Sequence, residues 1–221
     1  MERRKIGILF SGGKDSCLAL HKYGLEKADV LLTMLSKNKD SFMFHSPILP
    51  LLKKQAERLA LPLVIEETNG EEEKEMDDLK RLIKKSEVDT IVSGGIKSSY
   101  QAKRIRKVCE ELNVQIELPL WDYTSEQLWD ELLGEGFKVV ITKIASEGIH
   151  REFIGQVIDK SLLDELKKLS KKYKFRMDFE GGDAETAVIW MPGFKNEIKL
   201  DYELESEGEY RHFLCLKKLY A

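Results

Sequence analysis

The segment Ser11-Gly12-Gly13-Lys14-Asp15-Ser16 constrains this chain more than any other. It follows a short apolar run, Ile6–Phe10, and leads into an amphipathic one. Adjacent glycines there let the backbone turn tightly and approach a ligand with no Cβ in the way. A turn from a strand into a helix also aligns backbone N–H groups as an anion nest, to which the helix N-terminus adds partial positive charge. Ser11 and Ser16 contribute hydroxyls and Lys14 a mobile ammonium. Asp15 would repel a bare phosphate, so beside Lys14 it reads as a ligand for Mg2+. The spacing is not that of a Walker loop, Gly-x4-Gly-Lys-Ser/Thr, nor of the dinucleotide fingerprint Gly-x-Gly-x-x-Gly. The plain alternative is a Gly-Gly turn with a capping Asp or Ser.

What surrounds the loop sets the fold class. Apolar runs at Ile6–Phe10, Val30–Leu35, Leu63–Ile65, Thr90–Ser93 and Val114–Leu118 read as strands. Helical patterns at Leu18–Tyr23, Pro50–Leu59, Glu72–Lys85 and Gln101–Leu112 alternate with them. This rhythm predicts an α/β fold, and right-handed crossovers make a doubly wound, Rossmann-like parallel sheet the economical solution. The pattern changes after Pro119. Ser125–Glu135 reads as a helix with Ser125 as N-cap, Phe137–Ile144 as a strand and Leu162–Tyr173 as an amphipathic helix. Ala187–Met191, Glu197–Leu204 and Arg211–Leu216 read as further strands. The expected domains are a nucleotide domain over 1–120 and a smaller α+β lobe over 121–221. The acidic stretch Glu66–Asp78 and the basic helix Lys167–Lys174 read as solvated faces.

Bulk numbers exclude several classes. A chain of 221 residues buries enough surface to hold a core without disulfides. Its three cysteines, Cys17, Cys109 and Cys215, are dispersed, which argues against a disulfide framework or a cysteine zinc site. No apolar run approaches the ~20 residues that span a membrane, and the N-terminus lacks a signal-peptide core. A cytoplasmic protein is expected. A net charge of −3 does not mark a nucleic-acid binder.

At this point Ser11–Ser16 resembles the PP-loop of the ATP pyrophosphatases, which split ATP between its α- and β-phosphates. The resemblance implies an adenine nucleotide alpha hydrolase type of sheet in the order 3-2-1-4-5, with the loop at the switch point where such sheets bind ligands. Further segments narrow it: Gly94-Gly-Ile-Lys-Ser-Ser-Tyr-Gln101 with Arg104, Pro119-Leu-Trp121, Glu180-Gly-Gly-Asp-Ala-Glu-Thr186, Ser41–His45, Gly148 and Gly155. In order and approximate spacing they resemble the diphthine–ammonia ligase (diphthamide synthetase) family. Phe42, Phe44, His150, Asp183 and Ala184 depart from its pattern.

The resemblance implies ATP and Mg2+ as cofactors, and as partners ammonia and a translation elongation factor 2 that carries diphthine. ATP would adenylate the diphthine carboxylate, and ammonia would displace AMP. Ser11, Gly12, Gly13, Lys14, Asp15 and Ser16 would hold the phosphates, Met34 would line the adenine pocket, and Gly94 would let nucleotide or acyl group come close. Lys14, Asp15, Glu180 and Glu185 would be catalytic, the two glutamates orienting ammonia or taking its proton. His45, Tyr100, Gln101, Arg104, Gly181, Gly182 and Thr186 would meet the substrate. By composition alone, Glu180-Gly-Gly-Asp is also an ordinary turn. Rival readings are a tRNA-modifying PP-loop enzyme, a paralogue adenylating another carboxylate, and a non-catalytic nucleotide sensor. Thiolating enzymes of the first kind need a cysteine pair, and a sensor has little need of Asp15 beside Lys14.

Overall fold

The computed structural model describes residues 3–38, 47–96 and 99–220. The chain divides into two compact units, Met1–Asp122 and Tyr123–Ala221.

The first unit alternates strand and helix. In chain order it runs β1 (Ile6–Leu9), α1 (Lys14–Tyr23), β2 (Val30–Ser36), α2 (Leu49–Leu59), β3 (Leu63–Thr68), α3 (Glu72–Ser86), β4 (Thr90–Val92), α4 (Ser99–Leu112) and β5 (Gln115–Glu117). All strand pairs are parallel, in the order β3-β2-β1-β4-β5. The order reverses between β1 and β4, so the loop after β1 sits at the switch point, as the PP-loop resemblance implied. Val30, Leu32 and Met34 point from β2 into a cluster with Leu79, Leu82 and Ile83 of α3 and Ile105 and Val108 of α4. Burying each such side chain contributes about 1.5–3 kcal/mol. Right-handed crossovers carry α1 and α2 to the opposite face, where Cys17, Leu18, Leu20, Leu51 and Leu52 are buried.

The second unit packs α5 (Ser125–Gly134) and α6 (Lys160–Tyr173) with β6 (Lys138–Ala145), β7 (Ala184–Trp190), β8 (Lys199–Ser206) and β9 (Arg211–Tyr220). The strands form an antiparallel sheet in the order β7-β6-β9-β8. No described helix is long and apolar enough to cross a membrane.

Three expectations need correction. Thr124, not Ser125, caps α5: its hydroxyl accepts from the Gln127 amide at 3.2 Å, and the Gln127 side chain accepts from the Thr124 amide at 2.9 Å. This reciprocal box satisfies two N-terminal donors and releases the Ser125 hydroxyl to donate to Asp178 at 2.9 Å. The acidic stretch Glu66–Asp78 is not a solvated face throughout, because Glu75 and Asp78 are buried. Asp78 and Glu66 both pair with Arg81, at 2.5 and 3.3 Å. Finally, β7 begins at Ala184 rather than Ala187, so Glu185 and Thr186 are strand residues rather than part of a turn.

Candidate active site

The phosphate loop is built from both of its ends. The Phe10 amide donates to Leu32 O at 2.8 Å, and Thr33 Oγ1 donates to Phe10 O at 2.5 Å, which anchors the end of β1 to β2. Inside the loop the two serine hydroxyls lie 3.1 Å apart. Ser16 Oγ accepts from the Ser11 amide at 3.2 Å and donates to Gly13 O at 3.2 Å. Gly13 caps α1 in an extended conformation with no side-chain cap hydrogen bond. Lys14 is almost fully buried, and its Nζ lies 2.8 Å from Asp15 Oδ2. Asp15 also lies in the first turn of α1.

Two neighbours hold the loop's path. Gly12 has φ +74, and a Cβ there would lie 2.0 Å from Gln55 Oε1. The buried Gln55 side chain donates from Nε2 to Gly12 O at 2.8 Å. Gly94 follows β4, and a Cβ there would lie 2.5 Å from Asp15 O and 2.8 Å from Ser16 N. The expectation that Gly94 makes room for nucleotide or acyl group is therefore revised: the space it opens is filled by the backbone of α1's first turn. Met34 is committed to the core cluster. Gln101 and Arg104 lie half-buried in the first turns of α4. His45, Phe42, Phe44 and the Tyr100 side chain lie outside the described residues.

In the second unit the Glu180–Asp183 turn is pinned from one side. Asp178 accepts from the Glu180 amide at 3.0 Å, from Arg176 Nε at 3.0 Å and Nη2 at 2.8 Å, and from Ser125 Oγ at 2.9 Å. Burial alone would raise the Asp178 carboxyl, but Arg176, the Glu180 amide and Ser125 outweigh it and hold it below the usual value. Asp183 accepts from the Arg176 amide at 3.1 Å, and its own carbonyl accepts from Ala145 N at 2.9 Å. Phe179 adopts φ +58, and Gly181 and Gly182 follow with φ +99 and +88. A Cβ on either glycine would meet nothing within 4 Å. Past the turn, Glu185 stands on β7 with its Oε1 2.8 Å from Lys143 Nζ of β6.

Gln55, Asp178 and Lys143 were not singled out by sequence reasoning. Gln55 left a signal, a polar residue inside the stripe Leu51-Leu52-Gln55-Ala56-Leu59. Lys143 interrupts an apolar strand run, which is a weaker one. Asp178 left none: its partners Arg176 and Glu180 lie two residues to either side with no motif to mark them, and Ser125 lies 53 residues away. Two of the cysteines offer no thiolate chemistry: burial pushes the Cys17 thiol well up and the Cys109 thiol to about 11.

A parallel sheet in this order, with a serine- and glycine-rich anion loop at its reversal, defines an α/β protein of the PP-loop type. The chain belongs to the diphthamide synthase family: the family's N-terminal domain matches residues 4–116 and its C-terminal domain residues 124–220. A Schizosaccharomyces pombe protein named diphthine–ammonia ligase is 32% identical over 98% of this chain, which spans 39% of that relative's length. A Mus musculus protein of the same name is 30% identical, with 89% of this chain and 83% of the relative covered. A solved Methanocaldococcus jannaschii chain, described as a predicted subunit of tRNA methyltransferase, is 19% identical with a TM-score of 0.42, covering 87% of this chain and 99% of its own. That last likeness is too slight to carry an argument.

Proposed function

We propose that this chain is a diphthine–ammonia ligase that acts in the cytoplasm on translation elongation factor 2. The observation that carries the reading is the joint family match of both units, with the anion loop in the first of them. Amide formation from a carboxylate and ammonia is unfavourable in water, and adenylation supplies a good leaving group. A diphthine carboxylate oxygen attacks the α-phosphorus of ATP, the bond to the β-phosphate oxygen breaks, and pyrophosphate leaves. The nitrogen of ammonia then forms a bond to the acyl carbon, the carbon–oxygen bond to AMP breaks, and one proton is lost.

The residues suit these steps. The N-terminal turn of α1 and the buried Lys14 ammonium face developing charge on pyrophosphate, where preorganised donors act most strongly. The donor set fits Mg2+ as well. Among the described residues no cluster of His, Cys, Asp or Glu could hold a metal alone, and Mg2+ bound to nucleotides relies on one or two carboxylates plus phosphate oxygens and water. Asp15 is the carboxylate in place for it, and the ion would neutralise phosphate charge. Glu180 and Glu185 serve the amide step, and the Gly181-Gly182 backbone gives the acyl group an unobstructed approach. Gln101 and Arg104 contribute polar contacts to nucleotide or substrate.

The test is a product assay with Mg-ATP, ammonium and elongation factor 2 carrying diphthine. AMP and pyrophosphate, formed only when the factor is present, support the ligase. ADP as product, or no cleavage, contradicts it. AMP formed with another acid but not with this factor would assign the chain to a different carboxylate.

A further inference from the structure

The Lys143–Glu185 pair is a built feature of the second unit's sheet that the steps above leave unexplained. Lys143 stands opposite Glu185 on β7 and opposite Phe213 on β9. That opposition depends on an irregularity. Pairing runs Ile141↔Thr186 and then Lys143↔Glu185, so β6 carries one residue more than β7 across this step. The extra residue is Thr142, and in a regular ladder it would have met Glu185. Bulges of this kind re-aim the side chain that follows. Here the bulge delivers Lys143 Nζ to 2.8 Å from Glu185 Oε1, with side-chain exposures of only 15% and 18%. The same Nζ lies 5.9 Å from the centre of the Phe213 ring. A carboxylate and the negative face of an aromatic ring thus hold the ammonium together.

We propose that Lys143 is a positioning residue: it fixes the orientation of the Glu185 carboxylate so that Glu185 can receive the ammonium ion and take its proton. The proposal rests on the ligase reading above and assigns the ammonium subsite to the second unit. Ammonium gives one proton to Glu185. The freed lone pair forms the carbon–nitrogen bond as the bond to AMP breaks, and the proton lost from the new amide passes to solvent.

The test uses the full chain with saturating ATP and diphthine-bearing elongation factor 2, and measures AMP formation against ammonium concentration. Exchange of labelled pyrophosphate into ATP, without ammonium, reports adenylation separately. Lys143→Met is expected to raise the KM for ammonium roughly tenfold, the usual scale for loss of one charge-assisted hydrogen bond, while exchange stays unchanged. Lys143→Arg, which keeps the charge and the donor, is expected to restore most of the affinity. Should Lys143→Met fail to fold, Lys143→Gln against Lys143→Arg carries the same contrast. An ammonium KM unmoved in Lys143→Met overturns the proposal, and so does a parallel loss of exchange and amide formation. A wild-type chain that forms no AMP overturns the ligase reading and this proposal together. An active wild type with an unmoved variant overturns the proposal alone.

Discussion

The two glycine-containing turns of this protein solve opposite problems. Around the phosphate loop two glycines are crowded: Gly12 within it abuts Gln55, and Gly94, which follows β4, abuts the backbone of Asp15 and Ser16. At the acidic turn Gly181 and Gly182 have no neighbour within reach of an added Cβ, and the positive φ is what calls for glycine. The first turn is therefore fixed sterically. The second is fixed by polar bonds from one side, through Asp178, and stays open on the other. On the ligase reading proposed above, that contrast suits a constant triphosphate in one unit and an acyl group carried by a large protein in the other.

The largest effect should come from Asp15→Ala, which removes the carboxylate beside Lys14. We expect turnover to fall by roughly a hundredfold to a thousandfold, the scale for a lost electrostatic contact at a reacting phosphate, as read by AMP release. Wild-type turnover would break the assignment of the first turn. Next comes Asp178→Ala, which removes the acceptor of four hydrogen bonds. It should cost about 2–3 kcal/mol in urea unfolding and impair the amide step more than pyrophosphate exchange. The carboxyl is held below its ordinary value of 3.8. Its contribution is therefore complete above that value and is lost as pH falls through the depressed one, so the variant's stability deficit should shrink only in that acid range.

The two turns can then be compared directly. Gly94→Ala forces a Cβ against backbone and should cost about 1–3 kcal/mol, with weaker ATP binding by calorimetry. Gly181→Ala meets open space and carries only the strain of its φ, about 1 kcal/mol, and should leave ATP binding unchanged. Equal effects of the two substitutions on ATP binding would erase the contrast.

Much of the first unit was legible because its signals are local. Alternating periodicities gave the strand and helix sequence, and Ser11–Ser16 gave the loop. Strand ends were less so: β3 runs on to Thr68 because parallel pairing with β2 continues through Ser36, although Glu66 and Glu67 look like a loop. The second unit was harder, since its site is made by partners distant in sequence. The bulge at Thr142 decides that Lys143 meets Glu185, and no pattern in either strand announces it. Asp178 works through Ser125, 53 residues away. Buried Glu75 and Asp78 went unread for the same reason, because charge composition does not reveal which carboxylates tertiary packing encloses.

The most direct test of the central claim follows the nitrogen. Elongation factor 2 carrying diphthine would be incubated with this chain, Mg-ATP and ammonium labelled with heavy nitrogen, and the modified histidine peptide weighed. The account predicts one heavy nitrogen in the peptide for each AMP released, and none when ATP is omitted. AMP release with no label in the peptide would contradict it.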